Sequence, residues 1–144
     1  MKATVKQVVE CYNVLDKAKA TKLEVSDVIK ILDARKAMRP TATDYDAFLK
    51  DCQEKFKPED WDSIQKDLQQ WQNEGENTTL SEERRIELNK AVIGYQNNIN
   101  KALKSELERE IELDIEPLSK EARAKLMVEN GWSIAEYDIV ENVL

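Results

Sequence analysis

Carboxylates occupy every even position from 106 to 116: Glu106, Glu108, Glu110, Glu112, Asp114 and Glu116. These are the residues whose type and spacing could do chemistry. Same-face neighbours on a strand lie about 7 Å apart, too far for two of them to chelate one small ion but close enough to build a negative stripe. Such a stripe could receive a basic protein partner or imitate the phosphates of a nucleic acid. It could also hold a divalent cation if another element added oxygens, since calcium takes about six to eight. The plainest alternative is a solvated strand face whose charge discourages stray edge pairing. The candidate interaction face is therefore Glu110, Glu112, Asp114 and Glu116.

Most other catalytic chemistry lacks its residues. The chain contains no histidine, which removes the commonest general acid-base group, the commonest zinc ligand and every Ser-His or Cys-His nucleophile pair. Gly75, Gly94 and Gly131 belong to no phosphate-cradling GxxxxGK or GxGxxG pattern. Cys11 and Cys52 are far apart in sequence and flanked by helical apolar patterns, so reduced, packed thiols are expected. A stacking platform of Trp61 and Trp71 is conceivable. Their phase with Ile64 and Leu68, however, is accounted for by amphipathic packing. The expectation is a protein without catalytic residues, cofactor or metal.

The acidic residues need an element to position them. The odd positions of the run are Leu107, Arg109, Ile111, Leu113 and Ile115, and strict alternation predicts a strand over 109–116 with one buried and one wet face. Pro117 ends it. A lone strand leaves its backbone groups unpaired. The alternating segment Thr21-Lys22-Leu23-Glu24-Val25 is the mate this reading selects, giving a two-stranded ribbon of 21–25 and 109–116. Leu23, Val25, Ile111, Leu113 and Ile115 would then lie under the helices.

The rest of the chain reads as helix. Thr4 with Gln7 forms a capping box, and Val5, Val8, Tyr12 and Leu15 follow at helical spacing, which predicts a helix over 4–19. Ser26 is the expected cap of the next helix, with Ile29, Leu32 and Met38 as apolar positions leading toward Pro40 and a kink or break near Arg39. Helicity resumes after Thr43 with the stripe Tyr45, Phe48, Leu49, Cys52 and Phe56. Pro58 opens a helix through Trp61, Ile64, Leu68 and Trp71 that Gly75 closes. Thr79 with Glu82 reads as the box of a long helix to about 105, with Leu88, Val92, Tyr95, Ile99 and Ala102 or Leu103 facing inward. Gly94 within it is read as a close helix crossing. Ser119 and the Ser133 to Glu136 box cap two short terminal helices, the first ended by Gly131.

Composition agrees with one mainly helical domain, 1–144: a helical bundle carrying a small ribbon. Glycines and prolines number three each among 144 residues, too few to turn a many-stranded sheet. A formal net charge of −7 argues against a nucleic-acid binder, and Lys17, Lys19 and Lys22 read as a solvated helix face. No run approaches the ~20 apolar residues of a membrane span, and the opening residues lack a secretory pattern, so a cytoplasmic protein is expected.

The order of elements resembles a family of small phage- or prophage-encoded proteins of unknown function. The resemblance rests on the first helix, Leu23-Glu24-Val25 entering a Ser-capped helix, long charged helices, the run I-E-L-D-I-E-P-L over 111–118, and short terminal helices. It implies a viral or prophage origin and carries over no catalytic residue. Together these readings predict a non-enzymatic interaction or assembly protein with a protein partner or self-association. The alternatives are an acidic inhibitor mimicking nucleic acid and, behind it, a carboxylate-based metal-dependent hydrolase.

Overall fold

The computed structural model describes residues 1–144. It contains six helices and one two-stranded antiparallel sheet, which is the mainly helical fold with a small ribbon predicted above. In order these are β1 (Lys2–Thr4), α1 (Val5–Asp16), α2 (Val25–Lys55), α3 (Trp61–Glu74), α4 (Glu82–Glu108), β2 (Glu110–Glu112), α5 (Lys120–Asn130) and α6 (Ile134–Glu141). Packing divides the chain into two compact units, Met1–Ala47 with Ser105–Leu144, and Phe48–Lys104. Helices α2 and α4 each supply residues to both.

The mate of the acidic strand is not 21–25. It is β1 at the start of the chain, in the register Lys2↔Glu112, Ala3↔Ile111 and Thr4↔Glu110. The physical reason is visible in segment 19–22, three of whose N–H groups are taken by side chains of α5. Glu129 accepts from the N–H groups of Thr21 (2.9 Å) and Lys22 (3.3 Å) and from the Thr21 hydroxyl. Asn130 accepts from the Lys19 N–H at 2.7 Å and donates to the Lys19 carbonyl at 2.8 Å. With the Thr21 and Lys22 N–H groups held by Glu129 and Val25 already the first residue of α2, little extended backbone is left for a ladder. Leu23 is half-buried against the core, whereas Val25 is 75% exposed.

In the first unit the core gathers around α1. Val8, Cys11 and Leu15 on its inner face meet α6, where Val140 is buried, and the following Val143 and Leu144. Ala122 and Leu126 of α5, Trp132, and Ile31, Ala34 and Met38 of α2 complete the cluster, with Ala3 and Leu113 under the ribbon. The predicted caps at Thr4, Ser119 and Ser133 all form, two of them as full capping boxes. Gly131 ends α5 in the left-handed conformation, φ 62°, where a side chain would be strained.

Two predicted caps move. Helix α2 begins at Val25, with the Glu24 carbonyl accepting from Asp27 and Val28, so Ser26 lies inside it. Ser81, not Thr79, caps α4 by accepting from the Arg84 N–H at 3.1 Å, because Thr79 is held by Glu74 and Gln70. Nor does Pro40 break α2, which is continuous from Val25 to Lys55. Pro40 sits on the wet side, while Met38 and Ala42 are buried on the other. The missing backbone bond therefore falls on the side where water can bind the freed carbonyl.

The second unit is built from the end of α2, α3 and most of α4. Its deepest side chains are Cys52, Ile64, Leu88 and Ile99, while Phe48, Phe56, Trp61, Leu68, Trp71, Val92 and Tyr95 are half-buried. The Trp61 and Tyr95 rings lie 4.6 Å apart at 42°, and the Tyr95 hydroxyl donates to the Gln53 carbonyl at 2.9 Å. A Cβ at Gly94 would meet nothing within 4 Å, so the expected close crossing is absent.

Replacing Leu126, fully buried in the first unit, with Ala should cost about 2–5 kcal/mol in urea denaturation. Pro40→Ala should instead raise stability by about 1–3 kcal/mol, since it restores a helix-interior hydrogen bond.

Candidate interaction site

The acidic face is built by the ribbon. Glu106 and Glu108 belong to the last turns of α4, so the alternation is strand-like only from Glu110 onward. The ladder covers Glu110–Glu112 and not the whole of 109–116. Beyond it the burial alternation continues: Leu113 is buried and Ile115 half-buried, while Asp114 and Glu116 are exposed. The predicted inward row, Ile111, Leu113 and Ile115, packs in or against the core. Glu110, Glu112, Asp114 and Glu116 all face solvent.

Local cations offset half of that face. The Met1 amine lies 3.6 Å from Glu112 and donates to the Leu113 carbonyl at 2.7 Å. Lys2 is the cross-strand partner of Glu112 on the same side of the ribbon. Lys30 of α2 reaches Glu116 at 3.5 Å. Glu110 and Asp114 have no ionic partner. Arg109, beside them, is held by Glu106 at 2.8 Å, and that bond holds its guanidinium pKa above the ordinary value. No three acidic or thiol side chains anywhere are grouped to hold a metal ion.

The structure also exposes a surface that sequence reasoning placed inside. Val25, Ile29 and Leu32 are 75%, 51% and 47% exposed, whereas the buried row of α2 is Ile31, Ala34, Met38 and Ala42. The first three follow at i, i+4 and i+7, and Lys36 and Arg39, both exposed and without an ionic partner, continue the same line. The signal was present in the sequence. Residues 25–34 carry apolar side chains at Val25, Val28, Ile29, Ile31, Leu32 and Ala34, more than one inward stripe can use.

Two further features complete the surface and the interior. A shallow cavity of about 590 Å³ is lined by Lys22, Glu121, Ala124, Lys125, Val128 and Glu129. Cys11 is buried on the inner face of α1, and burial pushes its thiol pKa up to about 12, leaving no reactive thiolate near neutral pH.

No protein family's sequence profile matches the chain, and no curated protein or solved structure is detectably similar to it.

The hydroxyl of Thr21, followed by the backbone N–H groups of Thr21 and Lys22, holds the Glu129 carboxyl below the usual carboxylate range. Since the folded-state value lies below the unfolded one, the stability these bonds add is present above the unfolded pKa. It is lost as pH falls through the depressed value. Thermal melts should therefore show a smaller acid-induced drop in midpoint for Glu129→Gln than for the parent chain. An equal drop would dissociate Glu129 from acid sensitivity.

Proposed function

We propose that the protein is a non-enzymatic interaction or assembly accessory protein of phage or prophage origin, working in the cytoplasm through a protein partner. The observation that carries this reading is the line Val25, Ile29 and Leu32 on the outer side of α2. A helix with apolar side chains on opposite faces is ordinarily covered on both, and here only the inner row is covered by the chain itself. Three aligned anchors followed on the same face by Lys36 and Arg39 fit an amphipathic partner helix that carries acidic residues beyond its apolar stripe. The absence of histidine supports a binding role over a catalytic one.

The nucleic-acid mimic has weaker support. Glu112 and Glu116 have cations at 3.6 and 3.5 Å, so the regular array of charges is interrupted. A carboxylate hydrolase has less still, since the ribbon carboxylates point into solvent and not into a shared interior.

The triple variant Val25→Ser, Ile29→Ser, Leu32→Ser replaces exposed or largely exposed side chains, so its melting midpoint should change little. In parallel capture from a bacterial lysate, the parent chain should retain a specific protein that the variant loses. If both retained the same set and the parent stayed monomeric in light scattering, the reading would fail.

A further inference from the structure

The ribbon leaves one of its edges open. In an antiparallel pair, residues that exchange both backbone hydrogen bonds alternate with residues that exchange none. Met1 and Leu113 are a bonded pair: the Leu113 N–H donates to the Met1 carbonyl at 2.8 Å, and the Met1 amine donates to the Leu113 carbonyl at 2.7 Å. The Val5 N–H donates to the Arg109 carbonyl at 2.9 Å, in phase with it. Ala3 and Ile111, midway between, are therefore bonded, and the pairs Lys2↔Glu112 and Thr4↔Glu110 are not. It follows that the N–H and C=O groups of Glu110 and Glu112 point away from β1. No third strand meets them, and the backbone of Asp114 makes no hydrogen bond either. The outer side of β2 and its extension to Asp114 is a row of free donors and acceptors.

We propose that this edge is a docking site for an extended segment of a partner protein, which adds to β2 as a third strand and carries basic side chains four residues apart. The backbone supplies the pairing and the carboxylates supply the choice of occupant. On the exposed face the incoming side chains lie beside Glu110, Glu112 and Asp114. Glu112 already has the Met1 amine, whereas Glu110 and Asp114 have no ionic partner. The free charges thus sit at i and i+4, about 13 Å apart along a strand, and select Lys or Arg at that spacing with an uncharged residue between. Arg109 is engaged by Glu106, and Lys30 by Glu116, so neither competes for these two carboxylates. The other face of the added strand continues the layer of Ile111 and Leu113, which favours Val or Ile at the intervening positions.

A second copy of this chain does not fit. Antiparallel pairing of β2 with itself about Glu112 would set Glu110 against Asp114, with like charges directly opposite. This surface is separate from the α2 line, so the two can be tested and can fail independently.

The probe is the capped heptapeptide Thr-Lys-Val-Thr-Val-Lys-Thr, titrated onto the full chain by calorimetry at low salt. One control has the same composition with the second lysine moved to the neighbouring valine position. The other keeps the sequence and carries N-methyl groups on the amides that would face β2. The parent peptide should bind at least tenfold more tightly than either control, and Glu110→Lys with Asp114→Lys should remove that binding. Both positions are exposed, so an unchanged melting curve will show the variant folded. Single variants at either position, expected to weaken binding about tenfold, serve if the double variant unfolds. Equal binding of all three peptides would reduce the contact to unspecific ion pairing and overturn the proposal, as would no binding of the parent peptide.

Discussion

The backbone pairing of the first residues of the chain with Arg109 to Leu113 is the constraint on which the first unit depends. Val5 N–H to Arg109 carbonyl, Leu113 N–H to Met1 carbonyl and the bonded pair between them tie segments more than a hundred positions apart in sequence. A two-stranded ribbon is marginal alone. This one is held because its inner row, Ala3, Ile111 and Leu113, packs in or against the same cluster as Val8, Cys11 and Met38. The ladder runs straight into the capping box of α1: Thr4, the last residue of β1, accepts from the Gln7 N–H while its own N–H donates to the Gln7 side chain. Strand pairing and helix initiation are thereby set by the same residue, and α1 leaves the ribbon in a fixed direction toward α6.

The same constraint decides what the surface offers. Because pairing uses only one edge of β2, the other edge keeps its backbone groups. Because the inner row is apolar, all the carboxylates must face water. Helix α2 has a comparable division. Ile31, Ala34 and Met38 are used internally, while Val25, Ile29 and Leu32 remain outside with Lys36 and Arg39 beyond them. One strand edge and one helix face are thus the two elements of regular structure left uncovered by the first unit itself.

Much of this was legible in the sequence where local physics decides. The Thr4 and Ser133 boxes, the Ser119 cap, the Gly131 stop and the inward row at Ile111, Leu113 and Ile115 depend on neighbours within a few positions. What failed depended on distant partners. Thr21 to Val25 alternates well enough for a strand, but Glu129 of another helix holds the Thr21 and Lys22 N–H groups and Val25 already opens α2. The true mate, Lys2-Ala3-Thr4, alternates too, yet it is so short that it merges into the start of α1. Ile29 and Leu32 were placed inside because helical periodicity marks an apolar row without saying which of two rows is covered. Pro40 suggests a kink or break near Arg39, but its tolerance inside a continuous α2 depends on which side of the helix faces water. The candidate face at Glu110, Glu112, Asp114 and Glu116 was legible as a row of charges. Its partial neutralisation by the Met1 amine and Lys30 was not.

Residue-resolved amide hydrogen exchange reads which backbone groups of the ribbon are paired. Slow exchange is expected at Ala3, Val5, Ile111 and Leu113 and fast exchange at Glu110, Glu112 and Asp114, an alternation along a single strand. Protection at Glu110 and Glu112 equal to that at Ile111 and Leu113 would contradict it, as would a protected ladder over residues 21–25 with the first residues of the chain exchanging freely.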